Sequence, residues 1–78
     1  MNASVFAESS RRAEFFALAA EVFQVDRASL SEATAYESIP QWDSVNHLRL
    51  VMATEKRFGV RYPLSRIPSL RTLADFLV

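Results

Sequence analysis

Asp43, Ser44 and His47 offer an acid, a hydroxyl and an imidazole within five consecutive positions, a combination able to carry a modification or to act as a nucleophile and base. They lie in the run Gln41-Trp42-Asp43-Ser44-Val45-Asn46-His47-Leu48. The run leaves a loop and opens a strongly amphipathic pattern, so the serine hydroxyl is expected at the first turn of a helix. Free backbone N–H groups at such a point favour a negatively charged substituent, and a serine carrying a phosphate-linked group is well placed there. A second chemistry competes with this one. His47 is three residues from Ser44 and shares its helix surface, the spacing of a nucleophile and its base. A hydrolytic pair also needs a group that orients the imidazole and a sheltered oxyanion hole. Asp43 is too local to orient His47, and a chain of 78 residues offers little shelter. No catalytic residue is therefore assigned. Helix logic alone reads Ser44 as an ordinary first-turn serine beside an aspartate cap, so the surrounding elements must decide.

Those elements are helical. The chain has one Gly and three Pro, with every Pro after residue 39, and shows little β-branched alternation. A first helix is expected from Ser4 or Glu8 to Phe23, with Phe16, Ala19, Ala20 and Phe23 as its core stripe. Phe15, Leu18 and Val22 broaden that stripe, while Arg11, Arg12, Glu14 and Glu21 take the wet side. From Gln24 to Trp42 the periodicity stops. Val25, Leu30, Tyr36 and Ile39 are scattered anchors in a loop long enough to be functional or to be packed by its own side chains. Asp43 then reads as the N-cap and Gly59 as the C′ residue of a second helix. On it, Val45, Leu48, Val51, Met52, Glu55 and Phe58 fall on or beside one face, and Val51 and Met52 are expected in the core. A short turn over Leu64–Ile67 should end at Pro68. Ser69 should cap a last helix, running to Val78, whose core face is Leu70, Leu73, Ala74 and Leu77, widened by Phe76.

Composition narrows the function. Half the residues are hydrophobic and six are Phe, which favours one small folded domain over residues 1–78. Zero cysteines exclude disulfides and thiolate metal sites, and a single His without clustered carboxylates speaks against zinc. Nine basic and nine acidic residues give no net charge, which argues against nucleic acid as the main ligand. The balance is uneven along the chain, because the part after Asp43 is net positive. No secretory leader and no membrane-spanning apolar run are visible, so a cytoplasmic monomer is expected.

Taken together, these features resemble the acyl carrier protein family over roughly Arg11 to Val78. The match is carried by Asp43-Ser44-Val45, then Leu48, Val51-Met52-Ala53, Glu55, Phe58 and Gly59-Val60. Val25 and Leu30 match the opening of the family's long loop, and Tyr62-Pro63, Ile67, Leu70 and Leu73 match its end. The resemblance implies an all-α fold, a small four-helix bundle with a long loop between helices one and two and a short third helix. It also implies that Ser44 receives a covalent 4′-phosphopantetheine arm from coenzyme A. A separate magnesium-dependent phosphopantetheinyl transferase does that chemistry, and the cargo rides as a thioester on the arm's thiol. Acyl-loading and acyl-accepting enzymes are then the further partners.

The departures from the family are informative. Carriers of fatty-acid synthesis are strongly acidic along helix two, whereas this stretch holds Asn46, His47, Arg49, Lys56 and Arg57, with Glu55 its only acid after the cap. A docking surface built for an acidic face would meet neutral or repulsive groups. Trp42 and His47 are more similar to stand-alone carriers of specialised pathways, and the Gly-rich lead-in of peptidyl carriers is absent. Trp42, Asp43, Val45, His47 and Arg49 are the candidate partner-docking residues. For Trp42 the competing role is to pack against the loop and fix the start of helix two. The alternative function is a small helical module that binds a protein or nucleic acid without a prosthetic group.

Overall fold

In the computed structural model, residues 5–77 are described. Of these, 63% are helical, and no β-strand occurs among them. Two α-helices of 15 residues each dominate: α1 (Ser9–Phe23) and α2 (Ser44–Phe58). Short 3-10 segments cover Val5–Ala7, Arg27–Ser29, Leu64–Ser69 and Leu73–Phe76. The expected limits at Ser4 and Val78 lie outside the described residues.

The apolar spacing of α1 puts Phe15, Phe16, Leu18, Ala19, Ala20 and Phe23 in the core, as the sequence pattern predicts. The helix stops at Gln24, which adopts the left-handed conformation at φ 58° and donates its N–H to Ala20 O. α2 stops in the same way at Gly59, with φ 68° and an N–H bond to Glu55 O. At Gly59 the left-handed backbone carries no side-chain penalty.

The long loop packs across the helices. Leu30 and Trp42 are buried within it, and Val25, Tyr36 and Ile39 pack against the core. Its middle is tied to the C-terminal segment. Tyr36 N–H donates to Arg71 O at 2.7 Å, Leu73 N–H to Thr34 O at 3.0 Å and Ala74 N–H to Glu32 O at 3.0 Å. An isolated antiparallel bridge between Ala35 and Thr72 belongs to the same seam. These bonds satisfy backbone groups that a buried loop cannot leave unpaired.

The last part of the chain departs from the sequence reading. Ser69 ends the Leu64–Ser69 turn instead of capping a helix, and its hydroxyl donates to Arg66 O at 2.7 Å. The later turn starts after Thr72, where Asp75 Oδ2 accepts the N–H groups of Arg71 at 2.9 Å and Thr72 at 3.0 Å. Those N–H donors hold the Asp75 carboxyl below the usual carboxylate range. Backbone pairing with the loop takes up residues 71–74, which prevents a longer helix. Leu70, Leu73 and Phe76 are nevertheless buried as expected. Phe76 stands at the centre of the aromatic core, against Phe15, Trp42, His47 and Tyr62.

Candidate functional site

Ser44 is the first residue of α2, and three hydrogen bonds set its position. Asp43 is extended, and its Oδ1 accepts the Asn46 N–H at 2.9 Å. Asp43 O accepts the His47 N–H at 2.8 Å. Asn46 Nδ2 reaches back to donate to Gln41 O at 2.7 Å, tying the loop to the helix start. Asp43 is thus the N-cap that its position after the loop predicts. The Ser44 side chain is exposed. Among the described residues, its hydroxyl and the N–H groups of Ser44 and Val45 have no hydrogen-bond partner. An anion on the Ser44 oxygen would meet those open amides at the positive end of the helix, worth about 0.3–1 kcal/mol at an exposed site.

Trp42 and His47 turn inward, and Trp42 takes the packing role against the loop that the sequence offered beside docking. Trp42 is 0% exposed, packed against Phe23 and edge-on to Tyr36. Its indole N–H donates to His47 Nδ1 at 3.0 Å, and His47 Nε2 lies 3.0 Å from Ile67 O. An indole only donates, so Nδ1 is the acceptor and Nε2 carries the proton given to Ile67 O. The half-buried imidazole therefore joins the loop, α2 and the Leu64–Ser69 turn. Both of its nitrogens are engaged, and neither is offered to Ser44 as a base. Sequence spacing put Ser44 and His47 on neighbouring positions, but the burial of Trp42 rotates the histidine toward the core. Asn46 and Ile67 complete the junction; the sequence marks Asn46 as a departure from the acidic helix-two pattern and Ile67 as a match to the family's end, and neither as a member of this junction. Ile67 contributes only a backbone carbonyl, for which the sequence carries no signal.

The other two docking candidates, Val45 and Arg49, are exposed. The core face of α2 is Leu50, Val51, Thr54 and Phe58, so the expected assignment of Met52 to the core is also corrected. Met52 is 63% exposed and joins Val45 and Leu48 in an apolar ridge on the outer side. One turn beyond Ser44, a cleft of about 420 Å³ opens between this ridge and the segment after α2, lined by Leu48, Met52, Tyr62, Leu64 and Ile67. Glu55 braces its floor by accepting the Tyr62 N–H at 2.8 Å. The Tyr62 hydroxyl donates to Phe76 O at 2.7 Å, and burial, aided by the Glu55 carboxylate, pushes the phenol well above its ordinary range.

No group of three or more His, Asp or Glu side chains suited to a metal ion occurs among the described residues. No helix there is long and apolar enough to cross a membrane. Comparison with known proteins finds no matching family model and no curated protein with significant sequence similarity.

Proposed function

We propose that this chain is a discrete carrier protein, holding an acyl, aminoacyl or hydroxyacyl group as a thioester on a 4′-phosphopantetheine arm at Ser44. The observation that carries this reading is the exposed Ser44 hydroxyl, free of hydrogen bonds within the described residues, at the start of a capped helix and inside the Asp43-Ser44-Val45 sequence. The residues present fit the group. Ser44 supplies the ester oxygen, and the open N–H groups of Ser44 and Val45 favour the phosphodiester charge. On this reading, the fold is a small carrier-type bundle whose last two helices are reduced to 3-10 turns.

Asp43 holds the helix start so that Ser44 stays at the first helical position. The Ser44 oxygen attacks the phosphorus of coenzyme A that bears the pantetheine. Its proton passes to a base on the transferase, and the adenosine bisphosphate portion leaves as the diphosphate bond breaks. The bound arm supplies a terminal thiol, which this cysteine-free chain lacks. The chain performs no catalysis itself. It works as a cytoplasmic monomer passed from a loading enzyme to an accepting one, within a specialised biosynthetic pathway.

The test is intact mass after incubation with coenzyme A, magnesium and a broad-specificity phosphopantetheinyl transferase. The wild type should gain one arm and Ser44→Ala none, with unchanged circular dichroism. No gain with any of several competent transferases would sink the carrier and favour an interaction module without a prosthetic group. The exposed apolar ridge of α2 is the observation on the side of that second reading.

A further inference from the structure

We infer that the outer face of α2, together with the segment that follows it, docks a protein surface made of an apolar knob ringed by carboxylates. The inference stands whether or not Ser44 is modified.

The apolar part comes first. Val45, Leu48 and Met52 follow one another at three- and four-residue steps, so their side chains form a continuous ridge. All three are more than half exposed, and Leu64 across the cleft is 85% exposed. Single exposed apolar residues need no explanation, but a contiguous group lining a concave cleft does. A phosphate backbone offers nothing to cover such a ridge. A flat lipid surface does not fill the cleft, whereas a protruding side chain does.

The charges say what surrounds that side chain. Arg49 continues the ridge three residues before Met52, and Lys56 continues it four residues after. Lys56 and Arg61 line a second shallow hollow that shares Met52 with the cleft. None of these three cations has an ion-pair or hydrogen-bond partner among the described residues. Arg66, in the turn that borders the cleft, adds a further positive charge close enough to act on Tyr62 and Asp75, whereas two other cations are engaged elsewhere. Arg57 pairs with Glu14 at 3.5 Å, and Arg71 lies over the Tyr36 ring. The one acid along the ridge, Glu55, keeps its charge between the two hollows while it accepts the Tyr62 N–H, so it offsets only one of the three cations. An apolar strip edged by an excess of cations is complementary to an apolar protrusion edged by Asp and Glu, and repels a basic surface.

The experiment uses the full chain, both as wild type and as Ser44→Ala, and two synthetic amphipathic helical peptides. The peptides share one Leu/Met face, flanked by Glu in the first and by Lys in the second. The Glu peptide should shift backbone NMR resonances of Leu48, Met52, Lys56 and Leu64, and its binding should weaken as salt rises. Arg49→Glu/Lys56→Glu should weaken that binding roughly tenfold and transfer preference to the Lys peptide. Leu48→Gln/Met52→Gln should abolish binding of both peptides while the thermal midpoint is retained. Equal affinity for the two peptides, or no binding of either at millimolar concentration, would overturn the inference. So would tighter binding of a DNA duplex or of phosphatidylglycerol vesicles, or self-association of the chain through this face. Because Ser44→Ala serves equally well, failure here leaves the mass test of Ser44 unaffected, and the reverse also holds.

Discussion

α1 and α2 have the same length, 15 residues, but distribute their apolar side chains differently. In α1 the large apolar residues form one stripe, all of it buried or half-buried. In α2 there are two stripes. Leu50, Val51 and Phe58 go to the core, while Val45, Leu48 and Met52 remain in water. The two N-termini differ as well. Glu8 makes no side-chain cap for α1, whereas Asp43 caps α2 and Asn46 anchors the preceding loop. The difference separates two jobs. α1 supplies core, and α2 supplies core on one side while presenting Ser44 and an apolar ridge on the other.

This comparison can be broken most forcefully at the junction that sets the rotation of α2. Trp42→Ala removes a fully enclosed indole and its bond to His47, and should destabilise by about 3–5 kcal/mol. The check is a lowered urea midpoint with loss of near-ultraviolet dichroism. Leu50→Ala, on the buried stripe, should cost about 2–5 kcal/mol. If Leu50→Ala were as mild as a change in the outer stripe, the assignment of the two faces would be wrong.

The helix ends allow a finer test. A Cβ at Gly59 meets open space, so Gly59→Ala isolates the left-handed backbone penalty of roughly 1–2 kcal/mol. Gln24→Gly relieves the same conformation at the end of α1, and should stabilise by up to about 1 kcal/mol in thermal denaturation. Asp43→Ala should cost about 1 kcal/mol by removing the cap of Asn46. The smallest effect belongs to the outer stripe. Met52→Gln should change stability by less than about 0.5 kcal/mol, measured by the same midpoint.

Acid tests a further contrast, between the helix ends and the seam that joins loop to C-terminal turn. The Asp75 carboxyl is held low by the N–H groups of Thr72 and Arg71, so the folded state favours its ionised form. Its contribution is fully present above the unfolded value near ~3.9 and is lost as pH falls through the lower folded value. The stability gap between wild type and Asp75→Asn should therefore be widest near neutrality and narrow in acid. A gap that widened below pH ~4 would contradict the role given to Asp75.

Much of this was legible from local patterns. The single stripe of α1, the Asp43 cap, the Gly59 stop and the loop anchors Val25, Leu30, Tyr36 and Ile39 all follow from spacing and residue type. These features depend on backbone preference and on periodicity within one element. The site was legible only in part. Ser44 at the first helical turn could be read from the cap before it and the apolar period after it. The inward turn of Trp42 and His47 could not, because it depends on Phe23, Tyr36 and Ile67 from three other parts of the chain.

By itself, then, the sequence determined the two helices, their ends and the exposed serine between loop and α2, since each rests on short-range sterics and hydrogen bonding. Which apolar stripe of α2 meets the core is set by long-range packing. The stripes containing Leu50 and Leu48 are both apolar, and the periodicity of the helix does not choose between them. The choice is made by the Trp42–His47–Ile67 junction and by the bonds between residues 32–36 and 71–74. The same bonds shorten the last helical segment to a 3-10 turn, because backbone groups paired with the loop are not available to extend a helix.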